Sequence, residues 1–248
     1  MLKQLSKNDC IKLLDYIELT SSVNLDGDVL SHLFKLSDLF NFEKVVCTYS
    51  PLSDYLSPEM KYDYFATNLS DDYMTTYVEN DFHLTDPVVT EYFSTFDLIH
   101  WRTLTDSLYA DKNDAIDLSE QVGLFDGFTY GVFSKKNDKH TVFLWGGKSI
   151  ENNDRTNSII KYTTPFLSEL IKKKENKGKR DELNLTPKEL EVLNWLKEGK
   201  SSWETGMILR ISERTVNFHI NNIKTKLNAS NRTHCVAIAI SNGLIQLN

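Results

Sequence analysis

The segment SERTVNFHINNIKTKL, residues 212–227, constrains the fold of this chain more than any other stretch. Its apolar residues recur at spacings of four, three and four, which places them on one face of an α-helix. They are Val216, Ile220, Ile223 and Leu227. Ser212 stands before them as an N-cap. The opposite face carries amides and basic side chains, whereas a solvated helix face is usually rich in Glu and Lys.

Start and stop signals of three further helices surround this segment. Thr186 and Glu189 form a capping box, and Gly199 ends the helix that the box begins. The run SSWETGMILRI predicts a second short helix with apolar residues turned partly inward, namely Trp203, Met207, Ile208 and Leu209. A last helix is expected between Asn231 and Gly243. The C-terminal region is therefore predicted to be an all-α domain of four helices.

A short helix, a tight turn and a longer helix with a polar outer face form the arrangement that lays a recognition helix in the major groove. In that groove amides can pair with adenine, and basic side chains can hold phosphate or guanine. The alternative is a small helical bundle that binds protein.

Charge is distributed unevenly along the chain. The net charge is −7, but residues 172–248 hold 14 basic and 8 acidic side chains, a net of +6. Residues 1–171 consequently carry −13. This asymmetry is typical of a nucleic-acid-binding module attached to a regulatory domain. A lysine-rich linker alone would produce a similar split, so composition leaves both interpretations open.

The sequence pattern marks a boundary between the acidic N-terminal region and the basic C-terminal region. The amphipathic pattern of the preceding helix gives way to a run of charged residues around Gly178. This run predicts a solvated, extended linker at 176–184, which separates domains at 1–175 and 185–248. The cysteines lie far apart in apolar runs and indicate buried thiols in a reducing cytosol: Cys10, Cys47 and Cys235. No apolar run is long enough to span a bilayer, and the charged N-terminus is unlike a secretion signal. We therefore expect a cytoplasmic protein without a membrane partner.

The N-terminal region alternates helical and strand patterns. Helices are expected at about 8–18, 25–40, 70–81, 86–94, 105–124 and 152–175, and strands at 44–50, 61–67, 96–101, 126–134 and 140–147. This order predicts an α/β/α sandwich with an antiparallel sheet, so the whole chain is of the α+β class. The parallel sheet and acidic pair of a receiver domain are not found.

Residues 185–245 resemble the C-terminal helix-turn-helix domain of LuxR-type transcription regulators. Glu189, Leu193 and Gly199 match positions that define that domain, and SERTVNFHINNIKTKLNASNRT follows its recognition helix closely. The resemblance implies double-stranded DNA as a partner. It implies base contacts by Asn217, Phe218 and Asn221, phosphate contacts by Thr215, Lys224 and Arg232, and a place for Arg214 on the same face.

The segment DDYMTTYVENDFHLTDPVV, residues 71–89, resembles the autoinducer-binding domain of quorum-sensing LuxR-type proteins. In that family an aromatic residue, a tyrosine four later, an Asp-Pro pair and a downstream tryptophan line an acyl-homoserine lactone pocket. The matching residues here are Tyr73, Tyr77, Asp86, Pro87 and Trp101, with Gly127 matching a later glycine.

The chemistry of these residue types suits such a ligand. Tyr73 and Tyr77 fall on the same face of one helix, where their hydroxyls can donate to ligand carbonyls. An ionised Asp86 can accept from an amide N–H, and Trp101 can pack on a ring. Each residue also has a simpler explanation: Asp86 as a helix cap, the tyrosines as half-buried core residues, and Trp101 as a strand core residue.

Two departures from the family pattern concern the signal. Tyr73 stands where the family usually has a tryptophan whose indole N–H donates to the lactone carbonyl. The strand VFLWGG places Leu144 or Trp145 where a Ser or Thr often faces the ligand. The resemblance therefore implies either a shifted lactone pose or a different signal, as in the solo receptors of this family.

The sequence predicts a ligand-responsive transcription regulator that binds a two-fold operator as a homodimer. The last helix offers apolar surface for pairing through Val236, Ile238, Ala239 and Ile240. Histidine spacing indicates no metal site, and no nucleophile with its base is found, so we expect neither catalysis nor a cofactor beyond the small-molecule signal. The alternatives are a ligand-independent regulator, and an enzyme or metabolite-binding module with an appended helical domain.

Overall fold

The computed structural model describes residues 4–22, 28–58, 64–108, 113–135, 138–183 and 185–245. The chain divides into two compact units, Met1–Lys172 and Lys173–Asn248. We call them the N-terminal and C-terminal units and describe each by itself.

The N-terminal unit is built around an antiparallel sheet. Its five strands are β1 (Lys44–Pro51), β2 (Tyr64–Thr67), β3 (Ile99–His100), β4 (Asp126–Ser134) and β5 (Lys139–Gly147), in the order β2-β1-β5-β4-β3. The helices are α1 (Lys7–Ser21), α2 (Val29–Phe34), α3 (Leu52–Tyr55), α4 (Asp71–Glu79), α5 (Pro87–Thr95), α6 (Trp101–Leu108), α7 (Asp114–Gln121) and the start of α8 (Asp154–Leu183).

Alternate residues of each strand face opposite sides of the sheet, because successive side chains of a strand point to opposite faces. On β1, Val45 and Cys47 pack into the main core with the fully buried Trp145 of β5. The intervening Val46 and Thr48 line a cavity on the other face. Helices α1, α2 and α8 pack on this main core together with the segment between α2 and β1, and α4 to α7 contribute the clusters opposite, so the predicted sandwich is confirmed.

Residues 105–124 do not form the single helix that periodicity predicts. Helix α6 is described as far as Leu108, and residues 109–112 lie outside the described residues. Helix α7 begins anew after Asn113, whose side-chain oxygen accepts from the backbone N–H of Ala115 and of Ile116. An amide in this position is a strong N-cap and starts a separate helix. Trp101 is correspondingly the first residue of α6 and not part of a strand.

The segment predicted to be an extended linker is helical up to Leu183, where α8 ends. The prediction of its local structure was wrong because Lys, Glu and Arg are good helix formers, and the one glycine, Gly178, costs a helix only about 1 kcal/mol. The assignment of 1–175, 176–184 and 185–248 as functional domains stays a prediction. Of the three cysteines, Cys47 and Cys235 are buried as expected, whereas Cys10 is half-buried.

The C-terminal unit contains the four predicted helices, which are α9 (Pro187–Lys197), α10 (Ser202–Leu209), α11 (Glu213–Lys226) and α12 (Arg232–Ser241). The predicted caps are present: Thr186 forms a capping box with Glu189, and Ser212 accepts from the backbone N–H of Thr215. The fully buried Val216 and Ile223 of α11 join the core of this unit. The inward turn predicted for α10 is wrong for Trp203, Met207 and Ile208, which are 61%, 65% and 41% exposed.

Candidate functional site

A cavity opens on the face of the sheet that α4 to α7 cover. The space open to the centre of a water molecule measures about 100 Å³, several times the roughly 10–15 Å³ that one buried water needs. Five of the predicted ligand-binding residues line it, namely Tyr73, Tyr77, Asp86, Trp101 and Leu144. The walls are mainly apolar and include Val46, Leu69, Val88, Ile116, Leu124 and Val142. A mostly apolar cavity with a few placed polar groups is the usual form of a small-molecule site.

Tyr73 is held from two sides. Ser70 is the N-cap of α4, and its side chain accepts a hydrogen bond from the Tyr73 backbone N–H. The Tyr73 ring stacks on Tyr77 with centroids 5.9 Å apart. The Tyr73 hydroxyl lies 3.0 Å from the Ser119 hydroxyl on α7. Burial raises the pKa of Tyr73 to about 12, so the phenol is neutral at physiological pH.

Tyr77 and Asp86 form the second polar contact. The Tyr77 hydroxyl donates to Asp86 Oδ2 at 2.8 Å, while Asp86 Oδ1 accepts the backbone N–H of Val88 at 2.8 Å. Asp86 thus caps α5 and also lines the cavity, so the cap and ligand interpretations are geometrically compatible. Burial raises the pKa of Asp86, and the bonds from Tyr77 and the α5 backbone lower it.

Trp101 depends on a glycine for its position. Its indole Nε1–H donates to Thr129 Oγ1 at 2.9 Å. A Cβ built on Gly127 would lie 2.6 Å from Trp101 Cζ3 and nearer still to the Trp145 carbonyl oxygen. Gly127 is therefore absent from the cavity wall and instead makes room for the Trp101 ring.

The structure also places the last two predicted ligand-binding positions, one on strand β5 and one at the start of helix α5. Leu144 lines the cavity, whereas its neighbour Trp145 points into the main core. Pro87 is the first residue of α5, where its missing N–H costs nothing; it is buried but lies outside the cavity wall.

Sequence reasoning missed several polar residues of the cavity, among them Ser119, Thr129 and His83. Thr129 pairs with Leu144 across β4 and β5, so a hydroxyl stands one strand away from the expected place. The His83 ring places Nε2 2.8 Å from the Ser57 carbonyl oxygen. Only the alternation of β4 could have indicated Thr129 in advance, since the other two reach the cavity through long-range packing.

Helix α11 presents the side chains that the resemblance assigns to DNA. Arg214, Asn217, Phe218 and Asn221 are exposed, and Phe218 is 60% exposed although it is apolar. The Asn217 side-chain oxygen accepts from the Ser202 hydroxyl of α10 at 2.7 Å, which orients the amide.

The side chains predicted to contact phosphate are more constrained by neighbouring groups than those predicted to contact bases. The Thr215 hydroxyl lies 2.7 Å from that of Ser212, and Lys224 is half-buried. Arg232 donates to the Lys200 carbonyl oxygen at 2.6 Å, which ties the start of α12 to the α9–α10 turn. Its other guanidinium donors can still meet phosphate.

Within the part of the chain that the structure describes, no group of three or more His, Cys, Asp or Glu side chains could hold a metal ion. No helix in that part is long and apolar enough to cross a membrane.

Two family models match this chain. Residues 26–166 match the autoinducer binding domain, and residues 183–239 match the bacterial regulatory proteins of the luxR family. The chain belongs to the LuxR family of autoinducer-binding transcription regulators. The first of these matches covers the whole cavity wall, and the second covers α9 to α11.

Relatives agree with this membership. The transcriptional activator protein SolR of Ralstonia solanacearum is 37% identical over 169 residues, which are 64% of this chain and 69% of SolR. The transcriptional activator protein BjaR1 of Bradyrhizobium diazoefficiens is 27% identical over 94% of this chain and 95% of its own. Among solved structures, Escherichia coli SdiA in complex with octanoyl-rac-glycerol covers 99% of both chains with a TM-score of 0.56 and 22% identity, which supports the fold.

Proposed function

We propose that this LuxR-family regulator is a cytoplasmic homodimer that binds an acylated signal in its cavity and a two-fold operator through α11. The cavity carries the proposal: it combines apolar walls with the buried polar contacts Tyr77–Asp86 and Tyr73–Ser119. Apolar walls suit an acyl chain, and the polar contacts suit a head group. The proposed ligand contacts are Tyr73, Tyr77, Asp86, Trp101 and Leu144, with Pro87 and Gly127 acting from behind the wall.

The first candidate signal is an acyl-homoserine lactone, whose amide N–H would donate to Asp86. A second candidate, a non-lactone amphiphile, has a specific observation in its favour, because the SdiA structure holds octanoyl-rac-glycerol. In either case the cavity binds and does not catalyse.

Dimerisation is supported by half-buried apolar side chains on α12, namely Val236, Ile238 and Ile240, whereas the fourth residue predicted for pairing, Ala239, is fully buried. A two-fold dimer would present two α11 helices to two half-sites about one turn of DNA apart. Gel shift on a two-fold operator, with and without a lipid extract of the host, tests the whole proposal. We expect retention of the operator to change with the extract, and identical retention would contradict ligand responsiveness.

The DNA contacts are tested separately. Asn217→Ala should lose discrimination between operator and random DNA by about 1–3 kcal/mol, the contribution of one bidentate base contact. Lys224→Ala should weaken both classes of DNA alike and reduce the salt dependence. Asn194→Ala is the matched control, since this exposed amide lies on α9. Equal effects of the first two variants on both DNA classes would contradict the assignment.

A further inference from the structure

The side-chain amide of Asn217 on α11 is held by a hydroxyl from the neighbouring helix. Ser202, the first residue of α10, donates a hydrogen bond to Asn217 Oδ1 at 2.7 Å. This separation is the commonest one for an O–H···O bond and is shorter than that of most N–H···O bonds. The oxygen end of the amide therefore faces Ser202, and the NH₂ end faces away from it.

The Ser202 hydroxyl lies on a well-anchored part of the C-terminal unit. Ser201 and Glu204 form a capping box at the start of α10. Arg232, at the start of α12, donates to the Lys200 carbonyl oxygen at 2.6 Å. Ser202 follows these two anchors directly and is half-buried, so its hydroxyl has a defined position from which to orient another side chain.

The second amide proposed for base contact differs in this respect. The Asn221 side chain is exposed and makes no hydrogen bond to any other residue that the structure describes. A free side chain loses rotamer freedom when it binds a base edge, whereas a side chain that is already oriented has lost this freedom on folding. Asn217 is therefore prepared for a base contact in a way that Asn221 is not.

The bond from Ser202 leaves the amide able to recognise a base. A carbonyl oxygen has two lone pairs, so Asn217 Oδ1 can accept a second hydrogen bond, and both N–H groups of the amide stay available. An acceptor beside a donor matches N6 and N7 of adenine in the major groove. Only one of the two orientations of the amide presents them to a given adenine in the matching order.

We propose that Ser202 is a positioning residue for sequence recognition, because it fixes the orientation in which the Asn217 amide meets an adenine edge. This inference rests on the proposed function, since it concerns the same DNA contact. It gives α10 a part in base specificity, which Ser202 exerts only through Asn217.

The test uses an operator that the wild-type full-length chain selects from random DNA, with the host lipid extract present throughout. Ser202→Ala should lower the ratio of operator affinity to random-DNA affinity about three- to tenfold, the effect of ordering one more side chain on binding. Affinity for random DNA and its salt dependence should stay unchanged, because no charge is removed. Ser202→Thr keeps the hydroxyl and should keep the wild-type ratio. Ser241→Ala is the matched control, since this exposed serine bonds to its own helix α12.

A double variant distinguishes an action through Asn217 from a general loss of structure. Adding Ser202→Ala to Asn217→Ala should lower the ratio no further, because residues that act through one contact are not additive. The loss of base preference in Ser202→Ala should also fall at the operator position that Asn217→Ala relaxes. Additive losses, or an equal loss of affinity for random DNA, would overturn the inference.

The outcomes separate the inference from the proposed function. A loss of discrimination in Asn217→Ala together with an unaffected Ser202→Ala would overturn the role of Ser202 and leave the proposed function standing. A wild-type chain that selects no sequence from random DNA would contradict the proposed function and the inference together.

Discussion

The two units of this regulator expose the side chains proposed for function in opposite ways. In the N-terminal unit Tyr73, Tyr77 and Asp86 are buried and bonded to one another or to neighbouring elements. In the C-terminal unit Asn217 and Asn221 are exposed on α11, and the core of the unit lies behind them. In the N-terminal unit the residues proposed for recognition therefore also hold the fold together, whereas in the C-terminal unit the two roles fall to different residues.

This difference has an energetic consequence. A buried polar side chain that loses its partner costs about 1–3 kcal/mol, whereas an exposed side chain away from caps and cores changes stability within about 0.5 kcal/mol. Substitutions that leave a cavity group without its partner should consequently change stability and binding together, and substitutions on the outer face of α11 should change DNA binding alone.

The largest expected effect is that of Gly127→Ala. The added Cβ would collide with the Trp145 backbone and with the Trp101 ring at 2.6 Å, and backbone cannot move aside cheaply. We expect a loss of more than about 3 kcal/mol of stability, measured by chemical denaturation and by the yield of soluble full-length protein.

Gly178→Ala provides the control for this variant. A Cβ at Gly178 in helix α8 would meet no atom within 4 Å, so alanine should stabilise the helix by about 0.5–1 kcal/mol. Equal stabilities of the two variants would contradict the packing of Trp101 against Gly127.

Glu189→Ala should give the largest effect within the C-terminal unit. Glu189 is 2% exposed, accepts the Thr186 backbone N–H at 2.7 Å and pairs with Lys226 at 2.8 Å. Its removal leaves the Thr186 backbone N–H without this acceptor and takes one partner from Lys226, at a cost of about 2–3 kcal/mol. Hydrogen exchange across α9 to α12 measures the effect. The exposed Glu191→Ala should stay within about 0.5 kcal/mol of the wild type, and a similar loss there would remove the special role of Glu189.

Acid should weaken the N-terminal unit more than the C-terminal one. Burial lowers the pKa of His32 and of His140 from the ordinary 6.5 to about 4. On acidification the unfolded chain therefore binds protons at these two histidines near pH 6.5, whereas the folded chain binds them only near pH 4. The contribution of the two neutral histidines to the free energy of unfolding is consequently complete above pH 6.5 and is lost as the pH falls towards 4. At pH 5 each of the two histidines should lower the free energy of unfolding by about 2 kcal/mol.

Hydrogen exchange at pH 7.5 and pH 5, corrected for intrinsic rates, checks this dependence. Protection of β1, β5 and α2 should fall, whereas α9 to α12 serve as an internal reference, because His219 and His234 are not buried. Asp86, whose pKa burial raises, contributes with the opposite sign, so the measurement is repeated in Asp86→Asn. Equal losses in both units would contradict the assignment to His32 and His140.

The same contrast explains what could be predicted from the sequence. The C-terminal unit is encoded by local signals such as the Thr186–Glu189 box and the Ser212 cap, and the structure contains both. In the N-terminal unit the strands were predictable from apolar runs. Ser119 and His83 were not, because they meet the cavity only after α7 and the turn before α5 pack against the sheet.

Asp86→Asn should have the smallest effect on stability and still change the response. Asparagine caps a helix about as well as aspartate, so its oxygen can keep the Val88 N–H while its NH₂ donates to the Tyr77 oxygen. The variant should therefore be as stable as the wild type, since burial already opposes the charge of Asp86.

The Asp86→Asn variant loses the charged acceptor that faces the cavity, and a hydrogen bond to a charged group contributes about 1.5–3 kcal/mol. We expect the half-maximal concentration of an acylated signal that binds the wild type to rise about tenfold or more, since about 1.4 kcal/mol is a factor of ten. Asp28→Asn is the matched control, because Asp28 caps α2 without lining the cavity. A stable Asp86→Asn protein with an unchanged dose–response curve would leave Asp86 as a helix cap alone, and the N-terminal unit would then separate folding from recognition as the C-terminal unit does.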